Sequence, residues 1–485
     1  MKNTLAKGTI YLMIAQLVFL ISGYVIHFGL GRYLGAELYG TFGITLALLT
    51  ICRVFVESGT VRAVSKYTAE RKELVNQIKN QAMKIQIILA LIIFTFLFTL
   101  APLIANLLKD YTLIPYIRLI ASFTIVFAIY AVYYGLFNGI RAFGKQALIS
   151  IVYHITKVLM VFVLVFLGFK VYGAMGAYLI GAAVSLILAH HYWRPKEFRA
   201  SGNFETVKII KFAAPVILFS LIFALIMSLD LFFVKAILRE KAQTGFYTSA
   251  AALSKVPYFI FLALSDALFP SIAKSTSNKG SVELTKKYIS QSLRYALILL
   301  VPCTLIISAT SRSLISLVYT DTYLAASFPL SILIFGLTLL CLFIILTTVI
   351  TASGRPTISL MITLSLLVVN IVSNMALVGI YGLSGAAMAT TITGFFGVLI
   401  AGAYVYRNFQ TLTDPYSILR IITGSLIVYV VARIFPVSGI FLVGQYISLL
   451  FLYFALLFIF REIKKEDIWL IRDIVSGSLS FKKAG

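Results

Sequence analysis

Acidic residues are scarce in this chain: 17 Asp and Glu stand against 41 Lys and Arg, and charged residues make up 12% of 485. An ordinary soluble domain carries roughly a quarter charged residues, so a soluble globule is excluded. Histidine occurs four times and cysteine three times. Cys52, Cys303 and Cys341 all fall inside apolar stretches, with no CxxC pair and no His nearby in sequence. They read as small core residues rather than redox or metal groups. A membrane-embedded enzyme needs convergent acids, a metal cluster or a nucleophile with its base. Most of the acids here lie in connections, so no catalytic residue and no metal are expected. No P-loop is present, so this chain is not expected to hydrolyse ATP. The first apolar stretch, about Gly8 to Leu30, is too long for a signal-peptide core and has no A-x-A site, so the first span is expected to stay.

What the chain has is apolar length. Hydrophobic residues make up 60% of it, and runs such as IQIILALIIFTFLFTLAPLI, from Ile85, do not alternate as barrel strands do. Each such run crosses about 30 Å of hydrocarbon as a helix at about 1.5 Å per residue. The expected fold is an all-α integral membrane protein with about fourteen transmembrane helices. The first half supplies 8–31, 40–61, 82–107, 114–138, 147–169 and 172–191. The second supplies 208–236, 244–270, 288–310, 326–351, 357–379 and 382–405, and two more spans follow at 416–435 and 440–460.

The net charge of +24 would suggest nucleic acid in a soluble protein, but the bases sit almost wholly in short connections. Membrane lipids of the anionic inner leaflet are their natural partner, and no nucleic acid is expected. Alternate connections hold 29 and nine Lys and Arg, which predicts a multi-pass protein of the cell membrane with both termini cytoplasmic.

An internal repeat is also legible. LYGTFGITLAL from Leu38 matches QTGFYTSAAAL from Gln243, an offset of 205, and YGAMGAYLIGAA from Tyr172 matches YGLSGAAMATTI from Tyr381, an offset of 209. Gly144-Lys145 matches Gly354-Arg355 at an offset of 210. Three matches in the same order at nearly constant offset argue for duplication. The expected organisation is a six-helix lobe over 1–200, a second over 201–410, and two helices with a cytoplasmic tail over 411–485. Six spans per copy is even, so the lobes are expected to relate by a pseudo-twofold axis along the membrane normal, with the substrate path between them. One such chain suffices for alternating access, so a monomer is expected.

Three cations remain inside spans: Arg53, Lys157 and Lys255. A charge at mid-span costs about 2.5 to 3.5 kcal/mol, so it usually faces a protein interior or a watery cavity. Arg53 and Lys255 lie 202 apart, close to the repeat offset, so each half places a cation at similar depth. Two such cations suit a phosphate or diphosphate. Glu57, four residues after Arg53, is the alternative partner on the same helix face, and Asp230 or Asp266 is the alternative for Lys255. Asp230 and Asp266 are also candidate coupling sites for a proton or Na⁺, and no other cofactor is expected. His27 and His154 read as satisfied core residues rather than proton relays. Pro215 and Pro257 are expected to interrupt the seventh and eighth spans, with Pro270 at the inner end of the eighth.

The stretch GRYLGAELYGTFGITLALL, Gly31 to Leu49, resembles the polysaccharide transporter branch of the multidrug/oligosaccharidyl-lipid/polysaccharide exporter superfamily. KFAAPVILFSLIFALIMSLDLFFVKAIL from Lys211, followed by GFYTSAAAL, resembles the start of that superfamily's second lobe. The resemblance covers residues 1 to about 408. It implies a V-shaped transporter whose first, second, seventh and eighth helices line a cavity. It also implies a lipid-linked (di)phosphate oligosaccharide as substrate, flipped from the cytoplasmic to the outer leaflet. Arg53 and Lys255 would meet the diphosphate as in the similar lipid II flippases, and Lys157 has no counterpart in that pattern. The sister branch, cation-coupled multidrug exporters, is the alternative; its cavities should be acidic.

Overall fold

The computed structural model describes residues 2–193, 204–277 and 282–463. Among them there is helix and no strand. Ten helices among the described residues are long and apolar enough to cross a membrane, against about fourteen expected spans. Three of the ten are too long for one crossing: Ile10–Glu70 has 61 residues, Phe143–Tyr192 has 50 and Pro356–Phe409 has 54. At about 1.5 Å per residue, 61 residues would reach roughly 90 Å, three times the hydrocarbon core. Each changes course at a glycine with positive φ: Gly35 (72°), Gly168 (94°) and Gly382 (57°). Side chains other than glycine rarely adopt that backbone, so a glycine between two apolar runs is where a helix can turn back.

In chain order, α1 is Lys2–Glu70, α2 Val75–Leu107, α3 Ile114–Gly139, α4 Phe143–Leu164 and α5 Lys170–Tyr192. Then come α6 Thr206–Ile226, α7 Leu229–Leu238, α8 Lys241–Ser277, α9 Val282–Ala309 and α10 Ser311–Val318. The chain continues through α11 Ser327–Ala352, α12 Pro356–Phe409, α13 Pro415–Ile434 and α14 Phe441–Ile459. The prolines do not break the helices as expected: α6 runs through Pro215 and α8 through Pro257 and Pro270. The seventh span breaks instead at Met227–Ser228, leaving Asp230 in the first turn of α7.

The membrane inverts the usual sorting of side chains. On α2 the buried face carries Ala82, Gln86, Ala90, Ile93, Leu97, Ala101 and Ala105, while Ile88, Leu91, Ile92 and Phe96 point outward. Lipid tails are as apolar as a protein core, so bulky residues lose nothing by facing them, and small residues let helix backbones approach.

Two compact units are present. The first comprises Met1–Leu253, Val318–Pro329 and Leu360–Thr393; the second comprises Ser254–Leu317, Leu330–Ser359 and Gly394–Gly485. Within the first, two glycines make a close backbone crossing. A Cβ on Gly40 would meet the backbone N of Gly245 at 2.6 Å and the carbonyl of Lys241 at 2.8 Å. A Cβ on Gly245 would meet the carbonyl of Ala36. The offset of 205 equates these two glycines in the sequence. Tyr39 and Tyr319 hydroxyls meet at 3.0 Å beside this crossing, Tyr323 donates to the Gly31 carbonyl at 2.7 Å, and Arg32 donates to the carbonyls of Val318 and Tyr319. A buried ion pair also lies in this unit: Lys235 of α7 is 2.6 Å from Asp110, between α2 and α3. In the second unit, α13 and α14 pack on α9 through Ile421, Val428, Tyr453 and Leu457 around Ile306.

Candidate functional site

Past the turn at Gly35, α1 carries Thr50, Arg53, Val54, Glu57 and Ser58 along one side of a cavity of ≈ 230 Å³. A spacing of four brings residues over one another on a helix, and Glu57 takes Arg53 in a forked grip. Arg53 Nε donates to Glu57 Oε1 and Nη2 to Oε2, each at 2.9 Å. The sequence alternative of an Arg53–Glu57 ion pair is therefore present, and it borders the cavity, with Arg53's side chain 30% exposed. A guanidinium has five N–H donors, and the carboxylate uses two. Its plane is held from the far side by aromatic rings, Phe127 of α3 at 4.7 Å and Tyr153 of α4 at 5.7 Å. The Tyr153 hydroxyl is buried with no hydrogen-bond partner among the described residues.

Lys157 shares one of these rings, Tyr153, but does not line the cavity. Its Nζ lies 5.4 Å from the Tyr153 ring centre and 5.0 Å from that of Tyr178 on α5, and its side chain is buried. Gly181 permits this closeness, since a Cβ there would meet the Tyr153 carbonyl at 3.0 Å and Lys157 N at 3.3 Å. Lys157 Nζ is 3.3 Å from His154 Nδ1, which is also 3.3 Å from Ser22 Oγ. His154, read from sequence as a satisfied core residue, is thus the imidazole partner of the buried amine. His27 has a hydroxyl partner, Tyr39 at 2.8 Å.

Lys255 is half-buried on α8 and belongs to the second unit. The side chain of Asp266 lies outside the described residues.

Asp230 occupies a second polar centre within the first unit. Tyr247 donates to its Oδ2 at 2.7 Å and Thr390 to the same oxygen at 3.2 Å, while its Oδ1 accepts from the backbone N–H of Leu231. Thr393, one helical turn beyond Thr390, accepts from Asn370 Nδ2 at 3.1 Å, and Asn374 donates back to the Asn370 carbonyl. All of these side chains are buried, and the Asn374 Oδ1 has no hydrogen-bond partner among the described residues. Carboxylate, amide and hydroxyl oxygens together are a hard-cation donor set. The asparagines were missed in the sequence, although two amides four residues apart in an apolar run, NIVSN, are the signal that marks them. The aromatic support of Arg53 was not legible, because nothing distinguishes Tyr153 or Phe127 among 27 tyrosines and 38 phenylalanines.

A larger hollow of ≈ 360 Å³, lined by Gln77, Asn80, Gln81, Met83, Lys84 and Ile87 on α2, brings none of the expected site residues together.

Comparison with known proteins fits this multi-pass arrangement. The lipid II flippase MurJ of Bacillus subtilis is 24% identical over 456 residues, covering 84% of this chain and 83% of that protein. Among solved structures, lipid II flippase MurJ in an inward closed conformation superposes with a TM-score of 0.76 at 16% identity, covering 94% of this chain and 99% of that one. An inward-facing multidrug resistance MATE family transporter of the MOP superfamily has a TM-score of 0.68 at 16% identity, over 84% of this chain and 99% of its own. At that identity the superpositions establish the fold. Residues 5–276, more than half of the chain, match the family described as polysaccharide biosynthesis protein, and this multi-pass membrane protein belongs to that family.

Proposed function

We propose that the protein is a flippase that moves a lipid-linked oligosaccharide, carried on a polyprenyl (di)phosphate, from the cytoplasmic to the outer leaflet by alternating access. The observation that carries this reading is Arg53: a cation in a membrane-spanning helix, oriented by Glu57 and two rings, with unspent donors beside a cavity edged by the hydroxyls of Thr50 and Ser58. Preorganised guanidinium donors grip phosphate oxygens better than a mobile amine does. Lys255 is the second cation of this reading, and the partner chemistry agrees with family membership and with a relative named as a lipid II flippase. The 29-to-nine distribution of bases supports termini in the cytoplasm. Asp230, with Asn370, Asn374 and Thr390 around it, is the coupling centre for Na⁺ or a proton. Two lobes, 1–200 and 201–410, with 411–485 appended, working as a monomer, complete the reading.

A multidrug exporter is the second reading, favoured by the MATE superposition. An organic cation needs an uncommitted carboxylate, and the one carboxylate lining this cavity, Glu57, is already held by Arg53.

Native mass spectrometry of the purified protein with a polyprenyl-diphosphate sugar separates the readings. Wild type is expected to retain the lipid and Arg53→Ala/Lys255→Ala to lose it. Retention of an organic cation instead, with no lipid bound by wild type, would move the assignment to the exporter branch.

A further inference from the structure

Lys157 is chemically incomplete. Its Nζ contacts two aromatic faces and one imidazole nitrogen, and no carboxylate is among its contacts in the described residues. A buried cation ordinarily has a carboxylate or a full set of acceptors, because desolvation of an unbalanced charge is costly. Two basic nitrogens 3.3 Å apart and shielded from water can hold at most one excess proton between them.

Charge accounting around Tyr153 gives this amine a role. Arg53 and Glu57 cancel, so the cavity they border has no net charge to offer a dianionic head group. Lys157 is the next cation inward, sharing the Tyr153 ring with Arg53. The neighbouring groups do not balance it: Tyr178 from α5, against the amine, and Tyr130 from α3, against the Tyr153 ring, are phenols, and Ser22 from α1, beside His154, is neutral. Both protonation states of the pair keep the Lys157–His154 hydrogen bond without movement. A charged Lys157 donates to His154 Nδ1. A neutral Lys157 accepts from a His154 whose proton sits on Nδ1, while Ser22 bonds the Phe19 carbonyl at 2.8 Å.

We propose that Lys157 and His154 form a proton-binding site linked to the head-group cavity, taking up one proton from water when an anionic head group occupies the Arg53 side of Tyr153 and returning it on release. The chemistry is a single protonation: the amine lone pair forms an N–H bond, water loses the proton, and no electrons change owner. Lys157 is a positioning residue for charge rather than a group that touches the lipid. This inference rests on the flippase reading.

The test is calorimetry of the full-length protein in detergent with a polyprenyl diphosphate, in two buffers of different ionisation enthalpy. At pH about 8.5 the ligand is itself fully ionised, so protons taken up belong to the protein. Wild type is expected to take up roughly one proton on binding and to lose affinity as pH rises. Lys157→Met should take up none and bind about tenfold more weakly, with a flat pH profile. Lys157→Arg, charged at every working pH, should regain affinity without proton uptake. His154→Gln leaves the amine but removes the imidazole, and should shift the pH at which affinity falls. Equal proton uptake by wild type and Lys157→Met, or none by wild type that nevertheless binds, overturns the proton site and leaves the flippase reading standing. No binding of the diphosphate at any pH, by protein that melts normally, overturns both.

Discussion

Arg294 and Lys157 are both buried, 7% and 4% exposed, and they are treated in opposite ways. Arg294, on α9, donates its Nε to Glu462 Oε1 at 2.7 Å and an Nη2 hydrogen to the carbonyl of the same residue. Ser417 of α13 donates to that carboxylate oxygen as well, and Arg420 approaches the other at 3.5 Å. Lys157 receives ring faces and one imidazole. The first arrangement is a bolt: every element it touches is held by a charge-assisted bond, and it ties the last two helices to α9. The second leaves the amine dependent on what occupies the neighbouring cavity. Asp110–Lys235 is a bolt of the first kind in the first unit.

Breaking the bolts should therefore cost more than removing the poised amine. The largest effect is expected for Glu462→Gln, which strands Arg294 in an apolar site; about 4–5 kcal/mol should be lost. A lower melting temperature in detergent, with faster hydrogen exchange across Pro415–Ile434, would show it, and unchanged melting would mean that the cluster is not structural. Asp110→Asn comes next, at about 3 kcal/mol from the stranded Lys235. Burial pushes the Asp110 carboxyl up, but hydrogen bonds from Lys235 and Thr112 hold it below the usual carboxylate range. Its folded value thus lies under the unfolded one near 3.9, so the stability it adds is present above pH about 4 and is lost as pH falls further. The gap in stability between wild type and Asp110→Asn should close with acidification through that window; a gap constant down to pH about 2.5 would break the linkage. Smallest is Lys157→Met, expected to melt within about 1 kcal/mol of wild type because an apolar chain of similar length replaces an unbalanced charge. A large loss of stability there would place Lys157 among the bolts.

Local patterns in the sequence went far. Runs of about 20 apolar residues mark the helices, and the turns fall at or beside the breaks between them, because a chain that must reverse at the membrane surface does so at glycine, as at Gly35 and Gly168. Arg53 and Glu57 were legible as a pair because their spacing is that of one helical turn. The prolines misled: in α6 and α8 helix continues through them, since neighbouring turns can carry the missing bond. Arg294 and Lys235 were read as loop cations, because a base at a span end looks the same in sequence whether it faces water or a buried acid.

By itself, then, the sequence determined that this is a helical membrane protein, where its helices turn, and which cations stand in mid-span, since all of these follow from length, hydropathy and spacing within one helix. Only the tertiary structure decided which charges are matched. Glu462 reaches Arg294 across 168 residues and Lys235 reaches Asp110 from a different helix pair, while Lys157 meets rings from α4 and α5 and no acid among the described residues. Apolar helices are nearly interchangeable in composition, so their packing partners are chosen by small-residue contacts such as Gly40 against Gly245, which sequence periodicity does not encode.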